Sequence, residues 1–295
     1  MEMTDRIQRA DILIEALPYI QKFAGKIIVV KYGGHAMVDD TLRSSFARDI
    51  VLLKVVGMHP IVVHGGGPQI GETMTRMGIQ PTFVQGLRVT DAATMDIVDM
   101  VLGGKLNQEI VATINLHGGQ AVGLSGKDAN LIRATRKYLY HQTQPDAPPE
   151  RIDIGQVGEV QRINADIIHT LDAKGFIPVI APTGVGDQGE SYNINADTVA
   201  GDIAAALQAE KVLFLTDVAG ILDRDGKLQS SLHADTIQHF KADNIIDGGM
   251  LPKVDAALHA LHHGVGKAHV IDGRVPHAVL LELFTDRGVG TEILC

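Results

Sequence analysis

The sequence predicts an α/β fold with a mostly parallel sheet, and three observations carry that prediction. After Gly25, short apolar runs (27–30, 61–63) alternate with longer amphipathic segments such as 41–56. The runs have strand length and β-branched residues, and the segments between them have the helical period, which together make the rhythm of βαβ units. Further runs of the same kind recur near 120–124, 176–181, 211–215 and 268–271. Finally, six runs empty into glycine and a polar group: VVKYGG (29–34), VVHGGG (62–67), VGLSGKD (122–128), VIAPTGVG (179–186), FLTDVAG (214–220) and VIDGR (270–274). In open parallel sheets ligands bind beyond the carboxyl ends of the strands, where glycines let backbone N–H groups approach an anion. A single turn of this kind is ordinary βα chemistry. Six mark one edge of the sheet as the working edge.

The elements follow in order. Residues 5–23 place Ile7, Ala10, Leu13 or Ile14, Leu17 and Ile20 on one helical face, with a kink expected at Pro18. Helices are expected at 91–102 and 104–116, closed by Gly103 and Gly118. Between 130 and 162 the pattern becomes alternating, with a proline-rich break from Pro145 to Pro149, and reads as antiparallel hairpins inserted in the α/β body.

Composition bounds the partners. The chain has 295 residues, 45% apolar and 21% charged, as in an ordinary globular protein. A net charge of -9 without a basic cluster argues against nucleic acid or an anionic membrane as the main partner. The lone cysteine, Cys295, cannot form an intrachain disulfide, and the N-terminus reads neither as a signal peptide nor as a membrane span, so the expected address is cytoplasmic.

Several motifs can be set aside. No G-x-x-x-x-G-K-[ST] is present. GVGDQG (184–189) spells a dinucleotide fingerprint, but SYNIN follows where a helix must start. HGGG (64–67) has the form of a hydrolase oxyanion loop, yet no serine occupies a G-x-S-x-G elbow. His259, His262 and His263 lack the glutamate of H-E-x-x-H and read as a solvated helix end, so no metal site is expected.

What remains is two lysines, an aspartate and the glycine turns. Lys31 ends a β-branched strand before Gly33 and Gly34, as either a solvated cap or an ammonium beside an anion nest. Lys253 follows DGGMLP near a helix start, where a cation opposes the helix dipole unless an anion is bound. Asn193 and Asn195 precede a helix expected from Ala196, and either could be a cap.

KYGG, HGGGPQI, GLRVTDAATMD, NINAD and DGGMLPKV occur in this order. From about residue 25 to the C-terminus the chain therefore resembles the amino-acid kinase family, and within it the branch that phosphorylates N-acetyl-L-glutamate in its arginine-sensitive form. The resemblance implies a three-layer α/β/α sandwich. Residues 25–185 would form a lobe for the amino acid and for dimerisation, and residues 186–295 a lobe for ATP. It implies transfer of the γ-phosphoryl of ATP, carried in with Mg²⁺, to the side-chain carboxylate of N-acetyl-L-glutamate. Lys31 and Lys253 would stabilise the transition state and Asp197 would orient them. Gly66, Gly67, Arg88, Asn193 and Asn195 would border the acid, with Arg88 on its α-carboxylate. Gly33, Gly34, Gly65, Gly66, Thr216, Asp217 and Gly220 would hold ATP.

The same resemblance implies that residues 1–24 interlace with a second copy to build a hexamer, a trimer of dimers. It further implies an inhibitory L-arginine site from Tyr19, Lys211, His269, Glu282 and Gly288. The alternatives at this stage are a related kinase acting on carbamate or aspartate, and a non-catalytic nucleotide-binding regulator on the same fold. Both lysines and Asp197 are present, which argues against the regulator.

Overall fold

The computed structural model describes residues 3–142, 149–286 and 288–295. Its first helix, α1 (Met3–Phe23), runs through Pro18 as one span and leads into β1 (Ile27–Tyr32). Then follow α2 (Asp40–Val55), β2 (His59–His64), α3 (Gly67–Arg76) and a short ribbon, β3 (Phe83–Val84) with β4 (Leu87–Arg88). Next come α4 (Ala92–Val98), a π-helical stretch (Asp99–Leu106), α5 (Asn107–Leu116) and β5 (Ala121–Ser125). β6 (Ile132–His141) pairs antiparallel with β7 (Glu150–Ile163), and α6 (Asp166–Ala173), β8 (Ile177–Ala181), β9 (Thr183–Val185) and β10 (Ser191–Asn193) follow. The remainder is α7 (Ala196–Ala206), β11 (Lys211–Thr216), β12 (Ser231–His233), α8 (Ala234–Ala242), α9 (Leu251–His262), β13 (Lys267–Asp272), α10 (Ala278–Leu283) and β14 (Gly290–Leu294).

Eight strands form the central sheet in the order β12-β14-β13-β11-β1-β2-β8-β5. From β13 to β5 all neighbours are parallel, and only the edge pair β14 and β12 runs the other way. Alternation along the strands divides the core into two. On β1, Ile28 and Val30 enter one cluster with α2 to α5 and α10, whereas Val29 enters the other with α6 to α9. Each such fully buried β-branched residue contributes about 1.5–3 kcal/mol. Parallel strands covered on both faces need apolar residues at every position, which is why the runs read as continuous rather than alternating. Helices on both faces make this a three-layer α/β/α sandwich. The expected hairpin is present as β6 and β7, which join β9 and β10 in a small closed barrel. Pro145 and Pro148 of the predicted break lie outside the described residues.

One expectation is corrected. Gly103 does not close a helix: the chain continues from α4 into α5 through the π-helical stretch, which contains both Gly103 and Gly104. Burial of Val98, Val101, Leu102 and Leu106 against the sheet keeps the segment helical despite the two glycines, whose cost of roughly 1 kcal/mol each is outweighed. No described helix is long and apolar enough to cross a membrane.

Candidate active site

The carboxyl ends of the parallel strands open onto a cavity of about 270 Å³, lined by the glycine turns after β1 and β2 and by the start of α7. Lys31, next to last on β1, is buried, and its ammonium lies so close over the following turn that a Cβ on Gly33 would come within 2.6 Å of Nζ. A side chain at 33 would therefore displace the ammonium from this position. Asp197 sits in the first turn of α7, where a negative charge complements the helix dipole. Its carboxylate bridges the two cations: Oδ1 is 3.0 Å from Lys31 Nζ, and Oδ2 accepts from Lys253 Nζ at 3.2 Å. Burial pushes the Asp197 carboxyl up, but the Lys31 and Lys253 ammoniums beside it more than offset this and hold it below the usual carboxylate range.

Lys253 lies in the first turn of α9, after Pro252, and also donates to the Gly249 carbonyl at 3.2 Å. The unfavourable placement of a cation at a helix start is offset by Asp197. Asn195 is the N-cap of α7: its side-chain oxygen accepts from the N–H groups of Asp197 and Thr198 at 2.8 and 3.2 Å. Of the two roles open to it, the cap is occupied, while the residue also lines the cavity. Asn193 lines the cavity as well and donates to Thr90 Oγ1 at 3.2 Å.

Arg88, at the end of β4, reaches the same cavity from the ribbon. It donates to the Gly67 carbonyl at 2.8 Å, and its guanidinium carbon lies 4.7 Å from the centroid of the Phe83 ring. Burial lowers its pKa, because few polar partners replace the lost water. Phe83 has no motif around it to mark it in the sequence. Only the β3–β4 pairing, which sets Phe83 opposite Arg88, reveals it as the ring on which the guanidinium rests. Arg88→Ala should raise the KM for a carboxylate substrate by roughly tenfold or more with a smaller loss in kcat, since a ground-state anion contact is removed. An unchanged KM in steady-state kinetics would take Arg88 out of the substrate site.

The predicted nucleotide residues fall into two groups. Gly33, Gly34, Gly65 and Gly66 line the cavity, as does Gly67, which was expected beside the acid. Thr216, Asp217 and Gly220, at the end of β11 and just beyond it, lie outside its lining. The two groups touch where Asp217 accepts from the His35 N–H at 2.5 Å. Gly34 has φ 69, and a Cβ there would meet the Asp217 carboxylate, so glycine is required on both counts.

A second cavity, about 550 Å³, lies at the junction of α1, β13, α10 and β14. It gathers all five residues of the predicted arginine site: Tyr19, Lys211, His269, Glu282 and Gly288. Glu282 is buried, with Oε1 2.6 Å from His269 Nδ1 and Oε2 accepting from the Val289 N–H at 2.8 Å. Burial pushes its carboxyl up, and the His269, Val289 and Lys211 groups around it bring the balance below the ordinary value. Lys267, Glu292 and Asp286 also line this cavity; the strand pairing that brings Lys267 and Glu292 there is not readable from spacing. The histidine cluster is exposed at the end of α9: His259, His262 and His263 all face solvent, with His259 Nε2 2.9 Å from Asp202 Oδ1 and His263 Nδ1 2.8 Å from the His259 carbonyl. GVGDQG leads from β9 into β10, a strand pair, which removes the dinucleotide reading.

Residues 26–272 match the model of the amino acid kinase family. The chain is 60% identical to the acetylglutamate kinase of Syntrophobacter fumaroxidans over 288 residues, covering 98% of this chain and 97% of that one. It is 58% identical to that of Geobacter sulfurreducens, with 99% of each covered. Among solved structures, N-acetylglutamate synthase from Neisseria gonorrhoeae, complexed with coenzyme A and N-acetyl-glutamate, superposes with a TM-score of 0.81 at 25% identity. That match covers 96% of this chain and 62% of the synthase chain. Carbamate kinase from Giardia lamblia, at 16% identity and a TM-score of 0.61, shares the fold over 92% of this chain and 99% of its own. The chain belongs to the amino acid kinase family, on its acetylglutamate kinase branch.

Proposed function

We propose that the protein transfers the γ-phosphoryl group of ATP to the side-chain carboxylate of N-acetyl-L-glutamate, an early step of arginine biosynthesis. One observation carries the reading: two lysines held on one buried carboxylate, Lys31 and Lys253 on Asp197, beside a glycine-lined cavity that Arg88 also reaches. The acceptor carboxylate, with an unperturbed pKa of about 4.3, is ionised at neutral pH and needs no general base. A carboxylate oxygen attacks the γ-phosphorus, the bond to the β-bridging oxygen breaks, and ADP leaves with the electron pair. No proton moves. The obstacle is charge, because an anion approaches a polyanion and negative charge spreads over the transferred oxygens. Two ammoniums and the N–H groups of the glycine turns answer that need.

In this reading the acid binds against the 25–185 lobe, its α-carboxylate on Arg88, with Gly66, Gly67, Asn193 and Asn195 around it. ATP, carrying Mg²⁺ that keeps several of its waters, binds the 186–295 lobe beside Thr216, Asp217 and Gly220. Coupled ADP release across N-acetylglutamate, glutamate, aspartate and carbamate tests the assignment. Turnover with N-acetylglutamate alone is expected, and equal or faster turnover with another acid would overturn it.

The second cavity supports inhibition by L-arginine. Glu282 offers a carboxylate that suits a guanidinium, at the foot of α1. The end of α1 is anchored on its own subunit through buried Phe23 and through Tyr19, edge-on to Phe284 at 6.5 Å. Farther out, Ile12, Leu13 and Ile14 are bare, and a second copy of the helix would cover them in the hexamer this reading carries. Arginine then acts by favouring one of two ring states, which requires different affinities for them. Deleting residues 1–24 should leave an active dimer insensitive to arginine. Glu282→Ala should keep the hexamer and raise the inhibitory concentration by roughly tenfold or more, as a charged hydrogen bond is lost. A truncated protein that elutes as a hexamer and is still inhibited would refute the regulatory reading and leave the kinase assignment standing.

A further inference from the structure

The loop that carries Gly65, Gly66 and Gly67 gives the Gly65 N–H to the Tyr32 carbonyl at 2.8 Å and has to present the N–H groups that follow to an anion, and a run of three glycines has little stiffness of its own. Its rigidity comes from below. His64, the last residue of β2, is completely buried, with Nδ1 2.8 Å from the carbonyl oxygen of Gly65. Asn107, at the start of α5 and also buried, donates from Nδ2 to the Val179 carbonyl of β8 at 2.9 Å, and the same Nδ2 lies 3.2 Å from His64 Nε2.

Both ends of this chain are backbone carbonyls, which only accept, so every proton in it is determined. The Asn107 amide gives one hydrogen to Val179 and the other to His64 Nε2. The imidazole then carries its proton on Nδ1 and gives it to Gly65. Such an imidazole is neutral, and burial, which pushes His64 down to about 4, keeps it so. Both ring nitrogens are committed, and His64 is absent from the cavity lining.

The trans peptide between Gly65 and Gly66 transmits the constraint, because its C=O and N–H point in opposite directions. Holding the Gly65 carbonyl inward turns the Gly66 N–H outward, to the cavity that Gly66 lines. The π-helical stretch fixes the other side: a Cβ on Gly66 would meet Leu102 and Leu106 at 2.5 Å. The wide turn thus puts two leucines against the loop and Asn107 beneath His64, in keeping with the occurrence of π-helical turns beside functional sites.

We propose that His64 and Asn107 are positioning residues that hold the Gly65–Gly66 peptide with its N–H aimed at the transferring phosphoryl group. The proposal rests on the phosphotransfer reading above. His64→Leu fills the space and removes both hydrogen bonds. His64→Asn keeps a donor near the position of Nδ1, so it is the conservative rescue. With N-acetylglutamate, His64→Leu should lower kcat between about tenfold and about hundredfold with little change in KM for the acid, the scale expected when a reacting group is displaced by about 1 Å. His64→Asn should recover most of that loss.

Calorimetry on the same preparations should show the complex of ADP with aluminium fluoride weakened in parallel, with ADP alone binding as in the parent. Because that measurement needs no acceptor, a parent that fails to turn over N-acetylglutamate counts against the substrate and leaves this test intact. A folded His64→Leu protein that holds the fluoride complex as tightly as the parent would overturn the proposal. So would a loss in His64→Asn as deep as that in His64→Leu.

Discussion

Lys253→Ala should lower kcat by roughly hundredfold or more while the KM for the acid moves little. Its ammonium sits 3.2 Å from Asp197 Oδ2 and 3.2 Å from the Gly249 carbonyl, at the start of α9, so it is held in place before substrate arrives. A charge aimed where negative charge develops contributes to the transition state more than to the ground state, and losing one preorganised donor of this kind costs on that scale. Steady-state kinetics over the acid and over ATP separate the outcomes. A kcat within a few-fold of the parent would remove Lys253 from the chemistry. A pure KM effect would make it a binding residue. Lys253→Arg should recover little, because a wider, planar guanidinium cannot take the place of the ammonium between Asp197 and the Gly249 carbonyl.

The sheet is legible in the sequence because covered parallel strands carry an unusual signal. Apolar–polar alternation is absent there: Ile27 to Val30 is apolar throughout, and both faces are indeed packed. The working edge is legible for a related reason, since Gly33 leaves room for the Lys31 ammonium and Gly34, at φ 69, lies against the Asp217 carboxylate. The π-helical stretch is not legible. Gly103 and Gly104 look like a helix end, and only packing of Leu102 and Leu106 onto the core and onto Gly66 tells the chain to continue. Phe83 beneath Arg88 depends on a two-residue ribbon, too short to leave a period. His64 is visible in the sequence as the first letter of HGGGPQI, but neither that motif nor its hydrolase-like form gives it a role. Its partners, Asn107 and the Val179 carbonyl, come from elements far along the chain, so spacing cannot connect them. The second cavity's five predicted residues follow from resemblance, and the physical reason they meet is that β14 turns back antiparallel onto β13 beside the foot of α1.

Asp197→Asn should cost at least as much in kcat as Lys253→Ala, roughly hundredfold or more, although Asp197 needs to touch no substrate atom. In the native site one buried carboxylate lies between two ammoniums, 3.0 Å from one and 3.2 Å from the other. An amide of the same shape keeps the space and the Asn195 cap, which uses the backbone N–H of residue 197 rather than its side chain. What it loses is the charge, so two cations would then face each other across a neutral group. Removing one member of a buried ion cluster leaves uncompensated charge, a cost of about 3–5 kcal/mol in comparable sites. The protein relieves it by moving a lysine out of line, which empties the catalytic position. Steady-state kinetics over the acid and ATP decide the matter: a loss confined to KM would make Asp197 a binding group, and a variant with near-parental kcat would mean that Asp197 organises nothing.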